Sequence, residues 1–135
     1  MQYVPMETEL VQLQSMSAQE RLHYATTRMI ECEEVWSLGD DNGWIIRDED
    51  GKQVISVWPY HLLAQENRPG EDETSLPQAT SLEYFVYGVL DMCQVEDICL
   101  EVFPKTDESG HLISSTDLYE LLTGLMESGE YLMEG

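Results

Sequence analysis

Positive charge is what this chain has least of. Its 135 residues carry six Lys or Arg against 27 Asp or Glu, a formal net charge of −21. A field of that sign repels nucleic acid and anionic membranes, so direct binding to either is excluded. It attracts basic partners, with association rates that fall as salt rises. Cysteine is scarce as well. Cys32, Cys93 and Cys99 are odd in number and widely spaced, which excludes a disulfide framework and fits a reducing cytoplasm. Each reads as a small buried hydrophobe. No apolar run approaches the roughly 20 residues of a membrane helix. The opening "MQYVPMETELVQLQ" lacks the basic start and apolar centre of a secretory signal.

Catalytic signatures are missing too. There is no Gly-rich phosphate loop, GxSxG, HExxH or CxxC. His23, His61 and His111 fall on three different elements without zinc-ligand spacing. A nucleophilic pair such as Cys93 with His61 needs an adjacency that sequence cannot supply, and Cys93 falls on an apolar helix face. Carboxylates are too numerous for any pair to be singled out as acid and base. The chain therefore leans away from enzyme chemistry, with no catalytic residue, metal or cofactor expected.

What is present is a sizeable core and an uneven charge. A hydrophobic content of 42% in this length suits one closed domain. Residues 1–68 hold 12 acids and 5 bases, whereas residues 69–135 hold 15 acids and one base, Lys105. Residues 1–17 read as an N-terminal arm and 18–135 as a single domain. In the arm, Leu10, Val11 and Leu13 show no clear period.

Ser17-Ala-Gln-Glu20 has capping-box spacing, and Leu22, Ala25, Met29 and Ile30 then line one helical face to about Cys32. Glu34–Leu38, Trp44–Arg47 and Gln53–Trp58 read as strands, with turns at Asn42-Gly43 and Asp50-Gly51. Together they predict a three-stranded antiparallel meander. Pro59 opens a short helix over 60–68, followed by an acidic irregular connection over 70–79. Thr80-Ser-Leu-Glu83 is a second capping box, opening a helix with Leu82, Phe85, Val86, Val89, Leu90 and Cys93 on one face. Strand 97–103 and its hairpin partner 111–114 come next. A last helix, capped by "SSTD", carries Leu118, Leu121, Leu122 and Leu125. The class is α+β: antiparallel sheet, a meander plus a second hairpin, covered by about three helices.

The two acidic, glycine-ended clusters in "SLGDDNGWIIRDEDGK" invite comparison with a calcium loop. With Gly43 at the sixth position, the first ligand position is Leu38. With Gly51 there, the first and twelfth positions are Ile46 and Val57. Neither register supplies the oxygens required, so the acids read as turn tips.

"EEVWSL" at 33–38, "GW" at 43–44, "VWPYHLLA" at 57–64, and the later "SLEYFVYGVL", "LEVFP" and "SSTDLYELL" resemble, in order and spacing, a bacterial family of unknown function, DUF2750. The resemblance covers most of the chain from about residue 18. It implies a small stand-alone domain and carries over no catalytic or binding residue.

The functional expectation is a non-enzymatic acidic module of inhibitor, immunity or regulatory type that covers a basic protein or peptide. Mimicry of nucleic acid by rows of carboxylates is a special case. Trp36, Trp44 and Trp58 on successive strands suit a core cluster. The alternative use of aromatics is an exposed groove at the strand–helix junction, formed by Trp58, Tyr60 and His61. Its acidic rim would come from Glu71, Asp72, Glu73, Glu96 and Asp97. A competing class is a small enzyme or ligand-binding domain with its pocket beside Trp58, Tyr60 and His61. Cation binding by the acidic turns ranks last.

Overall fold

The computed structural model describes residues 5–40, 43–67, 75–106 and 108–128. Local chemistry accounts for most helix starts. α1 (Glu7–Gln14) is short, and α2 (Ala18–Cys32) begins at the Ser17/Glu20 capping box, with both reciprocal hydrogen bonds formed. α2 ends on Glu33 in the left-handed conformation (φ 57°). The following strands are β1 (Glu34–Asp40), β2 (Gly43–Trp44), β3 (Arg47–Glu49) and β4 (Lys52–Val57). Asp50 and Gly51, at φ 54° and 84°, make the tight turn between β3 and β4. The turn expected at Asn42 lies outside the described residues.

α3 (His61–Glu66) leads to β5 (Leu76–Ser81). One continuous helical segment follows: α4 (Leu82–Tyr84), a π-helical turn over Phe85–Val89, and α5 (Leu90–Glu96). Its cap is Ser81, one residue after the position the sequence favours, accepting from Tyr84 N at 3.1 Å. β6 (Ile98–Val102) and β7 (His111–Ile113) form the expected hairpin, and α6 (Ser115–Ser128) is capped by Ser114 Oγ, which accepts from Asp117 N.

The fold is α+β with two sheets. One is antiparallel, in the order β2-β1-β5, and the other is mixed, in the order β3-β4-β6-β7, with β4 and β6 parallel. The meander expected over 34–58 is corrected by this arrangement. Its middle strand divides, so that β2 pairs with β1 and β3 pairs with β4, in different sheets. The partners that split it, β5 and β6, come from far along the chain and leave no local signature. The sheets stay joined where Trp36 and Trp58 exchange two backbone hydrogen bonds of 2.8 Å and Ser37 Oγ donates to Ser56 O at 2.6 Å. The connection expected over 70–79 is corrected too. Leu76–Ser81 is an edge strand, where Pro77 is tolerated because only one flank is paired. The hairpin joins the second sheet through β6.

β6 is the hub, with α2, α5 and α6 lying against it. Leu100 and Val102 are buried with Ile55, Val57, Met29, Phe85, Leu90, Leu118 and Leu122. The apolar faces read from helical spacing are the faces that pack. α1 closes one side with Leu13.

Candidate functional site

The helical layer made by the 82–96 segment and α6 presents the most distinctive surface. Phe85, Val86, Val89, Leu90 and Cys93 face inward. Within the π turn, Leu90 N–H donates to Phe85 O, five residues back, which inserts a residue and shifts the side-chain stripe. Large apolar or aromatic groups are left outside: Tyr84 at 65% exposure, Tyr87 at 55%, Val95 at 73%, and Met92. Tyr84 lies over Gly88, where an added Cβ would come 3.3 Å from the ring. Tyr87 meets the exposed Tyr119 of α6 edge to face, with centroids 6.2 Å apart. A cleft of about 230 Å³ beside this pair is lined by Tyr87, Asp91, Gln94, Thr116 and Tyr119.

Around these groups stand exposed Glu83, Asp91, Glu96, Asp97, Asp117, Glu120 and Glu127. No base lies on either helical element. The described bases elsewhere are mostly committed within the fold. Arg21 is fully buried on backbone carbonyls. Arg28 pairs with Glu9 and Glu31, Arg47 with Glu49 and Glu101, and Lys105 with Glu108. None of these ion pairs involves a carboxylate of this face. Glu96 and Glu127 also sit in last helical turns, where the macrodipole disfavours an acid. Glu83 and Asp117, by contrast, stand in first turns, where it favours one.

The residues nominated from sequence fall in three places. Glu96 and Asp97 belong to this face: Glu96 ends α5, and Asp97 turns the chain into β6 at φ 58°. Glu71, Asp72 and Glu73 lie outside the described residues. Trp58 and Tyr60 are core residues, 0% and 1% exposed, so they line no surface groove. Trp58 Nε1 donates to Pro104 O at 3.1 Å, and Tyr60 Oη lies 2.7 Å from Tyr24 Oη. Half-buried His61 packs edge-on against Trp36 at 5.0 Å. Packed side chains fill that junction, and the core reading of these aromatics holds. Tyr84, Tyr87 and Tyr119 were not singled out by sequence reasoning. Their signal was available, since all three fall off the apolar stripes of their helices.

The titratable groups that do shift are held inert. Burial, then Cys99 nearby, raises the Cys93 thiol to about 11. Burial and then Glu31 raise Cys32. Both keep the unreactive thiol form at neutral pH. Burial, reinforced by the Glu9 carboxylate and Tyr60, raises the Tyr24 phenol. A wide depression of about 740 Å³ runs along α2 past Glu20, His23, Tyr24, Thr27 and Arg28.

Fold and surface together define a two-sheet α+β domain with an anionic, aromatic helical face. The chain belongs to DUF2750, a family described as a protein of unknown function, whose model matches residues 22–122. No curated protein matches it. Among the described residues, no helix is long and apolar enough to cross a membrane.

Proposed function

We propose that this protein is a non-enzymatic interaction module of the cytoplasm, and that the face of the 82–96 segment and α6 receives a basic protein or peptide carrying apolar side chains. The observation that supports it is the coincidence, on one layer, of exposed Tyr84, Tyr87, Tyr119, Met92 and Val95 with seven exposed carboxylates and no base. Each half of that pairing is common alone. An anionic surface needs no tyrosines to stay soluble, and exposed aromatics at the centre of a charged rim are the composition of interface anchors. The carboxylates steer and select by charge, while the tyrosines supply contact area at little conformational cost.

Calorimetric titration with a short amphipathic peptide of lysine and leucine tests this reading. Binding is expected at low salt and should weaken as salt rises. Replacing Tyr84, Tyr87 and Tyr119 together by Ser should weaken it at least ~10-fold, although net charge is untouched. Equal binding by the triple variant would mean that the peptide sees charge alone, and the assignment of this face would fall. The competing pocket at Trp58, Tyr60 and His61 gains no support from a junction with two of its three side chains fully buried.

A further inference from the structure

Where the 82–96 segment meets α6, two short rows of side chains share a cleft. Tyr87, Asp91 and Gln94 come from one helical element, Thr116 and Tyr119 from the other, and the space they line is about 230 Å³. Buried Val86 and Leu90 supply its apolar floor. Tyr87 is the middle residue of the π turn, a widened turn of a kind that concentrates at functional sites. Tyr87 and Tyr119 meet edge to face, with ring planes at 77°, so each ring keeps at least one face that the other does not cover.

The polar groups of the cleft are unspent. Among the described residues, the Asp91 carboxylate, the Gln94 amide and both tyrosine hydroxyls have no hydrogen-bond or ion-pair partner. Glu9, Glu31, Glu49, Glu101 and Glu108, by contrast, all stand in ion pairs.

Size and chemistry narrow the occupant. The volume falls below the ~300–1,000 Å³ of small-molecule sites and suits one side chain of a partner. An aliphatic side chain would leave Asp91 covered and unpaired. An anion would face Asp91, and although Thr116 stands at the start of α6, where the helix dipole favours anions, Asp117 already occupies that first turn. A long cationic side chain meets every feature: its stem covers the apolar floor, and its head finds an open ring face and a carboxylate. Arginine uses more of the cleft than lysine. Its planar guanidinium can lie on a tyrosine face while its fork of N–H donors reaches the Asp91 and Gln94 oxygens, whereas an ammonium is more strongly hydrated and has no plane to stack.

We infer that this cleft is an arginine pocket: one arginine side chain of the partner enters beside Tyr87 and Tyr119, its stem over Val86 and Leu90 and its guanidinium at Asp91. The inference rests on the reading of the face as a receptor for a basic partner, and adds which residue of that partner is selected.

The test uses the full chain and two amphipathic peptides of equal length and charge, arginine–leucine and lysine–leucine, in calorimetric titrations at low salt. The arginine peptide should bind at least ~5-fold more tightly. Asp91→Asn should weaken it at least ~10-fold and erase its advantage over the lysine peptide. Glu83→Gln makes the same charge change on the same face outside the cleft, and should cost at most ~2-fold. Equal affinity of the unaltered chain for both peptides would overturn the pocket, as would equal losses in D91N and E83Q variants that circular dichroism shows to be folded. With either result, loss of binding in the triple Tyr→Ser variant would leave the face reading standing. If neither peptide bound, or if the triple variant bound both unchanged, the face reading would fall and the pocket with it.

Discussion

Replacing Arg21 by Met should destabilise the protein more than any single surface change. The Arg21 side chain has no exposed surface. Its Nε donates to Phe103 O at 3.1 Å, Nη1 to Met16 O at 2.8 Å and Nη2 to Ser109 O at 2.7 Å. One guanidinium thus ties the α1–α2 link to both ends of the 103–109 loop, where Phe103 holds a left-handed φ of 56°. Met keeps the aliphatic volume and removes the donors. The buried bond to Phe103 O leaves an unsatisfied carbonyl at a cost of about 2 kcal/mol, and the two part-buried bonds cost about 1 kcal/mol each. The Glu108 contact at 3.6 Å, to a half-exposed side chain, adds little. The total is about 4 kcal/mol. Set against a stability of about 5–15 kcal/mol, that lowers the melting temperature by about 10–20 °C. Urea denaturation followed by circular dichroism reads the loss, with unchanged slope. Arg21→Lys keeps the charge but loses the fork, and should fall between. A loss under about 1 kcal/mol for R21M would refute the reasoning, because the carbonyls would then find water at no cost.

Three single positions give further tests. Gly124 in α6 has nothing within 4 Å of an added Cβ, so Gly124→Ala should raise stability by about 0.5–1 kcal/mol in thermal unfolding. Gly110 is the opposite case: a Cβ would lie 2.5 Å from Val102 O and 2.7 Å from Pro104 N, and its N–H donates to Glu101 Oε2 at 2.8 Å. Gly110→Ala should cost about 2 kcal/mol or more in the same assay, because backbone must shift. Cys93 sets a pH dependence. Its thiol is raised from 9.0 to about 11 in the folded state, so between those values the native chain keeps a proton that the unfolded chain has lost. Stability should therefore fall as pH rises through that window, by about 3 kcal/mol at most. Cys93→Ala should flatten this part of the profile.

Helix positions were legible because their signals are local. The Ser17 box, the Ser114 cap and the stripe from Leu82 to Cys93 need only neighbours in sequence to be read. The hairpins at Asp50-Gly51 and 98–113 were legible for the same reason. Sheet membership was not, because β5 and β6 reach β1 and β4 across long separations, and one of those pairings is parallel. The π turn was equally hidden, since "FVYGV" fits α and π registers alike. Half of the candidate face could be read as acidity. Its other half, the outward tyrosines, was masked by the expectation that aromatics near Trp58 would carry function. Burial decided that question: Trp58 and Tyr60 are core, whereas Tyr84 and Tyr87 are surface. The part-buried ion pair of Arg47 with Glu101, which also accepts from Gly110 N, depends on β3, β4 and β6 lying side by side, and no sequence spacing announces it.

The central claim is that the carboxylates and tyrosines of one helical layer act together as a receptor for a cationic, partly apolar partner. Amide chemical-shift mapping on the labelled full chain, titrated with a lysine–leucine peptide, addresses it most directly. The account predicts shifts concentrated on residues 82–97 and 115–127, fading at high salt. Shifts scattered evenly over the acidic surface, or gathered on the opposite sheet, would contradict it.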